Sequence, residues 1–170
     1  HQIEVEGATD MCLCKETLAI YGQHGFIATI DVEDLIQKKG TPKQFPTLHF
    51  GHMNGMTSIP FGRLDKEFQE RIKKRRKKER KTPLQITDSL LLSYSEDNDI
   101  RLWTIDGDCL GLYRYHENKV DQLFLTKDYF VSFDIFRNVV VWNFGVGGCI
   151  ENQDAVQPLD FVNDVVRHQK

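Results

Sequence analysis

The chain has 170 residues, 40% of them hydrophobic and 11% aromatic, a composition that indicates one globular domain and excludes a disordered segment. Its 22 Lys and Arg against 25 Asp and Glu give a net charge of -3, so the overall charge does not indicate a nucleic-acid-binding protein. No apolar run approaches the roughly 18 residues that cross a membrane, and no membrane helix is predicted.

The first third of the chain predicts short antiparallel strands. Residues 22–25 form a Gly-containing break between two apolar runs, which is typical of a hairpin. Residues 34–39 could form a helical turn, and Gly40, Pro42 and Pro46 mark a loop after it. The predicted strands of this part are residues 11–13, 17–21, 26–30, 47–52 and 53–59.

A strongly basic segment then interrupts the strand pattern. Residues 66–81 contain ten Lys or Arg and three Glu with no Gly or Pro, which favours a helix, and we predict a helical insertion at about residues 63–82. Leu64, Phe68 and Ile72 recur every four residues and form one apolar stripe. The start of the helix is therefore expected to pack against the domain.

Beyond Lys73 the predicted helix is expected to be solvated. A charge run of this kind is usually only a solvated surface without a binding role. It can also neutralise phosphates and release their counterions. Aromatic residues that would stack on bases are missing after Phe68, so any nucleic-acid contact is expected to be electrostatic and sequence-tolerant. The cations predicted to contact a partner or an acidic polymer are Lys73, Lys74, Arg75, Arg76, Lys77, Lys78, Arg80 and Lys81.

Strand character resumes after the basic segment. The predicted strands of this part are residues 89–95, 100–105, 109–115, 120–125, 129–133 and 139–144. Residues 149–152 could form one more strand, and residues 159–166 either a strand or a short helix.

Two stretches in this part of the chain repeat one plan. Ser93 to Trp103 and Ser132 to Trp142 lie 39 residues apart, and each reads as a short strand, a tight turn and a second strand that ends in Trp. A repeat of this period predicts stacked structural modules rather than one active site.

The plan resembles the WD40 repeat. Gly51-His52 opens the best-matching unit, and the residues at the family's intervals after it are Ser93, Ser95, Asp97, Ile100, Leu102 and Trp103. In the next unit His116, Ser132 and Trp142 match, but Phe136 occupies the position of the turn Asp. The first unit is degenerate, with Ala28 or Thr29 at the Trp position.

The resemblance implies an all-β, WD40-like β-propeller segment whose blades have polar cores. It implies that His52, Ser93, Asp97 and Trp103 form a buried hydrogen-bonded chain in one blade, which would satisfy groups costing about 1 to 3 kcal/mol each if left unpaired. The incomplete set in the next blade, His116, Ser132 and Trp142, is expected to hold that blade less firmly.

The number of repeats is too small for a closed propeller. Closure takes about 4 to 8 blades of roughly 40 residues each, whereas residues 1–170 supply three to four as a single segment. An open arc exposes sheet faces and edges. We therefore expect either that the chain is an excerpt of a longer propeller protein or that a partner completes it.

The residues with chemical potential do not assemble into a catalytic or metal-binding motif. Cys12 and Cys14 with a histidine could be imagined as a metal site, but no Cys-x-x-Cys or His-Glu-x-x-His spacing exists. The cysteines show no disulfide framework, which predicts free thiols and an intracellular protein. We predict no enzymatic activity, no catalytic residue, no metal and no cofactor.

These features predict a scaffold that binds other protein subunits in a multi-subunit assembly, without membrane contact. The preferred version is a ribonucleoprotein or nuclear complex, in the nucleus or nucleolus, with the basic helix contacting RNA or an import receptor. The alternative is a cytoskeletal or ciliary scaffold that binds microtubules, because residues 101–107 resemble a stretch of some cilium-associated WD-repeat proteins.

Overall fold

A computed structural model describes residues 4–22 and 25–144 of the chain. The elements predicted at residues 149–152 and 159–166 lie outside the described residues. Within the described part, no helix is long and apolar enough to cross a membrane.

The strands form three antiparallel sheets, each built from consecutive strands. The first sheet contains β1 (Ala8–Cys14), β2 (Thr17–Gly22), β3 (Phe26–Asp31) and β4 (Lys43–Pro46) in that order. The second contains β5 (Met53–Pro60), β6 (Ser89–Ser95), β7 (Asp99–Thr104) and β8 (Cys109–Arg114). The third contains, among the described residues, β9 (Val120–Leu125), β10 (Tyr129–Asp134) and β11 (Val139–Asn143).

The sheets pack face to face in chain order. The first strands β1, β5 and β9 lie beside one another, so the sheets fan out from a common side. Between the second and third sheets Tyr113, Phe130 and Trp142 are fully buried, and the Tyr113 ring stands edge-on to Phe130 at 5.0 Å between centroids. Trp103 is buried between the first and second sheets, 6.0 Å from the ring of Phe45. Burial of each such side chain stabilises the fold by on the order of 2 to 3 kcal/mol.

Because neighbouring strands are antiparallel, their connections alternate between two ends of the sheets. One end, here called the helix end, carries the connections at residues 15–16, 32–42, 61–88, 105–108 and 126–128. The other, here called the histidine end, carries those at residues 47–52, 96–98, 115–119 and 135–138. Contacts join loops within each end: Arg63 donates to the carbonyl of Lys127 at 2.9 Å, and the Glu96 N–H donates to the carbonyl of His52 at 3.0 Å.

Two helices lie at the helix end. The short α1 (Val32–Ile36) follows β3, and α2 (Lys66–Lys78) lies between β5 and β6 after a 3₁₀ turn at Phe61–Arg63. Asp65 caps α2 by accepting a hydrogen bond from the Phe68 N–H at 2.6 Å. Phe68 and Ile72 are buried, so the helical insertion packs against the sheets through its first turns.

The prediction that α2 is solvated beyond Lys73 is wrong at Arg76. This side chain is only 4% exposed, because it continues the four-residue stripe and finds acceptors on both sides. Its Nε donates to the carbonyl of Thr82 at 2.8 Å, and its Nη1 pairs with the carboxylate of Asp108 in the β7–β8 turn. A buried cation is tolerated when it is paired in this way.

Candidate functional site

Four polar side chains form a continuous hydrogen-bonded chain in the second sheet. The indole Nε1–H of Trp103 on β7 donates to Ser93 Oγ on β6 at 2.8 Å. Ser93 Oγ lies 2.9 Å from Nε2 of His49, and Nδ1 of His49 lies 2.9 Å from the carboxylate of Asp97. An ionised carboxylate can only accept, so Nδ1 carries the proton and Ser93 donates to Nε2. The polar side-chain groups of these four residues are thereby all hydrogen-bonded.

The assignment of His52 to this chain is wrong, because His49 occupies the position. His52 is exposed, and its backbone carbonyl accepts from the Glu96 N–H at the edge of the β6–β7 turn. The side chain of His49 is fully buried. Leu48, directly before it, has φ of 57°, the left-handed conformation that glycine adopts without strain, so Leu48 replaces the glycine of the Gly-His pair.

Sequence spacing contains no signal that would have selected His49 over His52. His116 precedes Ser132 by 16 residues, whereas His49 precedes Ser93 by 44. The long connection at residues 61–88, which includes α2, accounts for most of this difference. Subtracting the 25 residues by which this connection exceeds the one at residues 126–128 leaves His49 19 residues and His52 16 residues before Ser93, so spacing alone favours His52.

The carboxylate of Asp97, at the end of this hydrogen-bonded chain, has a lowered pKa. Burial acts to raise its pKa, but the hydrogen bonds from His49 and from the N–H groups of Phe50 and Asp99 lower the pKa to about 2. Asp97 therefore stays ionised and joins the loop before β5 to the turn after β6. Arg101 adds a cation 3.8 Å from the same carboxylate.

The third sheet has a shorter chain of the same kind. Trp142 Nε1–H donates to Ser132 Oγ at 2.7 Å, and Nε2 of His116 lies 2.6 Å from that oxygen. Phe136 offers no carboxylate, and Nδ1 of His116 is 3.9 Å from Asp134, beyond a hydrogen bond. Burial lowers the pKa of His116, and the charge of Asp134 opposes that shift only partly.

Asp134 instead organises its own turn. Its carboxylate accepts from the backbone N–H groups of Phe136 and Asn138, both at 2.9 Å, and from the side-chain amides of Asn138 and Asn118. Burial is the largest single effect and acts to raise the pKa of Asp134. The four hydrogen bonds, of which the one from the Asn138 side chain is the strongest, together outweigh burial and lower the pKa. One histidine, one serine and one aspartate in each of the two sheets are thus engaged in hydrogen bonds that fix the loops.

No metal-binding cluster was found in residues 4–22 and 25–144: no group of three or more His, Cys, Asp or Glu could hold an ion there. Cys12 and Cys14 contact each other at 3.8 Å between sulfurs, and both are free thiols. Cys14 is buried against the second sheet.

The loops fixed by these chains present large apolar side chains to solvent at the histidine end. Phe50 is 93% exposed and Phe136 69%. The loops that carry them are joined: Lys119 pairs with Glu96 at 2.8 Å, and the Ile135 N–H donates to the Lys119 carbonyl at 3.1 Å. The exposed apolar residues here, which we call the histidine-end surface, are Leu48, Phe50, Tyr115, Ile135 and Phe136.

At the helix end, the eight cations predicted to contact a partner divide into two groups. Arg76 and Lys81 both pair with Asp108, the second at 2.7 Å, and Arg75 pairs with Glu79 at 2.9 Å while also donating to the Cys109 carbonyl. All three hold the helix in place, but only Arg76 is buried, which makes the prediction wrong for Arg76; partner contact by Arg75 and the exposed Lys81 stays a prediction.

The remaining cations stay on the surface. Lys73 pairs with the exposed Glu70 at 2.8 Å. Four others are exposed and form no ion pair within the described residues. We call these four, Lys74, Lys77, Lys78 and Arg80, the basic end.

No family model matches the chain, and no curated protein matches it in sequence. Among solved structures, the chain is similar to a crystal structure of BBS1N in complex with ARL6DN, soaked with lead, with a TM-score of 0.58 and 8% sequence identity. The match covers 84% of this chain and 38% of that chain. At this identity the likeness shows the fold alone: the chain is an all-β segment of a β-propeller with a helical insertion. Membership of the WD40 family remains a resemblance.

Replacing His49 should destabilise the chain far more than replacing His52. His49→Ala leaves Ser93 and Asp97 without their buried partner, and we expect a loss of about 2 to 4 kcal/mol in the free energy of unfolding. His52→Ala, the matched control, should lose less than about 1 kcal/mol because that side chain is exposed. Urea unfolding followed by the fluorescence of the two buried tryptophans measures both. Equal losses would contradict the hydrogen-bonded chain.

The low pKa of Asp97 should make stability fall in acid. The folded-state pKa, about 2, lies below the unfolded value near 3.8, so this group stabilises the fold above about pH 4, and that contribution, on the order of 2 kcal/mol, is lost as pH falls toward 2. The difference in unfolding free energy between wild type and Asp97→Asn should therefore be constant above pH 5 and narrow below pH 4. In a His49→Gln background, the pH range over which the stability contribution of Asp97 is lost should move to higher pH. An unchanged pH range would contradict the role of His49.

Proposed function

We propose that this chain is the propeller segment of a non-enzymatic scaffold, which binds other protein subunits of a multi-subunit assembly through the histidine-end surface. The observation that carries the proposal is the presence of five large apolar side chains at one end of the sheets, with Phe50 almost completely exposed. Single exposed apolar residues are normal on a protein surface, but a group of them marks an interaction site.

The surface is fixed before any partner arrives. The Phe50 N–H donates to Asp97 at 3.0 Å, and the Phe136 N–H donates to Asp134 at 2.9 Å, so buried carboxylates hold both loops. A loop that is already ordered loses little conformational entropy on binding. Aromatic side chains such as these two supply much of the binding energy of protein interfaces.

Two further points support a binding role. The polar groups best placed for catalysis are already engaged in fixing loops, as the partners of Ser93 and Ser132 show. The similar structure, BBS1N, was solved in complex with ARL6DN, so a propeller of related fold holds a protein partner there.

The basic end is a second candidate contact, for an acidic partner. Its cations are exposed and have no ion pair within the described residues, so they can pair with phosphates or carboxylates. In the preferred version the assembly is a ribonucleoprotein or other nuclear complex, and the partner is RNA or an import receptor. In the alternative it is a cytoskeletal or ciliary complex, and the partner is the acidic surface of microtubules.

Introducing two carboxylates into the histidine-end surface should abolish the binding of partner proteins, whereas the same change elsewhere on the protein should not. In quantitative affinity capture of the tagged protein from cells, Phe50→Asp with Phe136→Asp should lose at least tenfold of a specific set of proteins. Met11→Asp with Leu13→Asp is the control, since both side chains are 60% exposed on β1, outside the histidine-end surface. Direct binding of each purified candidate then establishes the contact. The same capture profile for both variants would contradict the proposal.

The nature of the acidic partner can be tested by salt-dependent co-sedimentation. Lys77→Glu with Lys78→Glu should weaken binding to RNA in the nuclear version, or to microtubules in the cytoskeletal one, with a loss that diminishes as salt is raised. Lys66→Glu with Lys127→Glu changes the net charge equally outside the basic end and should bind as wild type. If wild type binds neither polymer at 50 mM salt, both versions are wrong.

A further inference from the structure

A groove runs between the first and second sheets at the helix end. It consists of two cavities of about 310 and 180 Å³ that share Thr17, Asp31, Ile105 and Asp106 in their walls. Because the shared residues are in both linings, the cavities are two parts of one depression. Its apolar floor includes the buried Cys14 and the half-buried Ile105.

The walls of this groove are predominantly acidic. The carboxylates that line it are Glu16, Asp31, Asp34, Asp88 and Asp106, and the cations are Lys15, Lys43 and Arg76. Arg76 is already paired with Asp108, so it does not neutralise the groove. Glu16, Asp34 and Asp106 are exposed and form no ion pair within the described residues. We call this depression the acidic groove.

The basic end begins at the rim of the acidic groove. Arg76 and Thr82 line the larger cavity, and they bracket the segment that carries Lys77, Lys78 and Arg80. The chain therefore carries an unneutralised acidic surface and an unneutralised basic surface side by side on one end of its sheets. Two exposed apolar side chains, Ile36 and Ile86, lie at the same end.

We propose that the acidic groove receives the basic end of a second copy of this chain, in a two-fold symmetric dimer. A two-fold axis that passes between adjacent acidic and basic surfaces places each opposite its complement, so that both contacts form at once. Ile36 and Ile86 supply the apolar part of the interface. The inference rests on the exposure and charge of the basic end described above, and a second copy competes with an acidic polymer for this surface.

The physical terms predict a weak and salt-sensitive dimer. Exposed ion pairs are individually weak, and salt screens them over roughly 8 to 10 Å. Two sets of such pairs with a small apolar contact are consistent with a dissociation constant in the micromolar range. Association should weaken at least tenfold between 50 and 300 mM salt.

Charge reversal with mixing tests the pairing. The basic variant is Lys77→Glu with Lys78→Glu, and the acidic-groove variant is Asp34→Lys with Asp106→Lys; all four positions are exposed. Sedimentation equilibrium up to 200 µM in 50 mM salt should show that wild type dimerises and that each variant alone is monomeric. An equimolar mixture of the two variants should form a heterodimer, because both contacts then join opposite charges again.

The control separates pairing of these surfaces from attraction by net charge. Lys66→Glu with Lys127→Glu has the same change in charge as the basic variant and should dimerise with itself but show no gain when mixed with the acidic-groove variant. A monomeric wild type at 200 µM, an unaltered dimer in either variant, or a mixture that fails to associate would overturn the proposal. RNA or microtubule binding by a monomeric wild type would also overturn it, assigning the basic end to a polymer. None of these results bears on partner capture through Phe50 and Phe136.

Discussion

The hydrogen-bonded chain from Trp103 through Ser93 and His49 to Asp97 is the constraint on which the histidine end depends. His49 lies on the connection that leaves the first sheet, whereas Ser93 and Asp97 belong to the second, so one buried imidazole joins two sheets. Asp97 extends the chain to the N–H of Phe50. A structural core and an exposed side chain that can bind a partner are therefore physically continuous, and disturbing one disturbs the other.

The helix end is organised by a different balance. Asp108 in a tight turn pairs with both Arg76 and Lys81, and these contacts fasten a helix whose apolar stripe spans only its first turns. Arg75 and Lys73 pair with Glu79 and Glu70, and the four cations of the basic end remain exposed. The same segment thus supplies both a structural fastening and a charged surface.

The two ends of the sheets differ in chemistry, and this difference separates the two proposed contacts. The histidine-end surface is apolar and pre-ordered, which suits a partner protein held in a fixed orientation. The helix end is charged and grooved, which suits a weaker contact that responds to salt. An arc of blades with two distinct ends can join more than one subunit, as a scaffold requires.

The sequence by itself determined the features that depend on local pattern. Alternating apolar residues and turn residues predict most of the strands, but the strand predicted at residues 47–52 is wrong, because that segment is a loop, and β4 lies where a loop was predicted. The 39-residue repeat predicts stacked sheets, and Phe68 and Ile72 predict the buried side of the helix. The distance from Ser to Trp within a hairpin is also local, which is why the resemblance to a WD40 repeat correctly places Ser93 with Trp103, and Ser132 with Trp142, in the sheet cores.

Only the tertiary structure decided which histidine and which cations are engaged. The long connection at residues 61–88 separates His49 from Ser93 in sequence, and the left-handed Leu48 sets the path of the loop, so the choice between His49 and His52 depends on the packing of two sheets. The partner of Arg76 lies 32 residues away in a turn of another hairpin. The sequence of a charge run does not show which of its residues form ion pairs and which stay exposed, because that depends on which carboxylates the fold brings near.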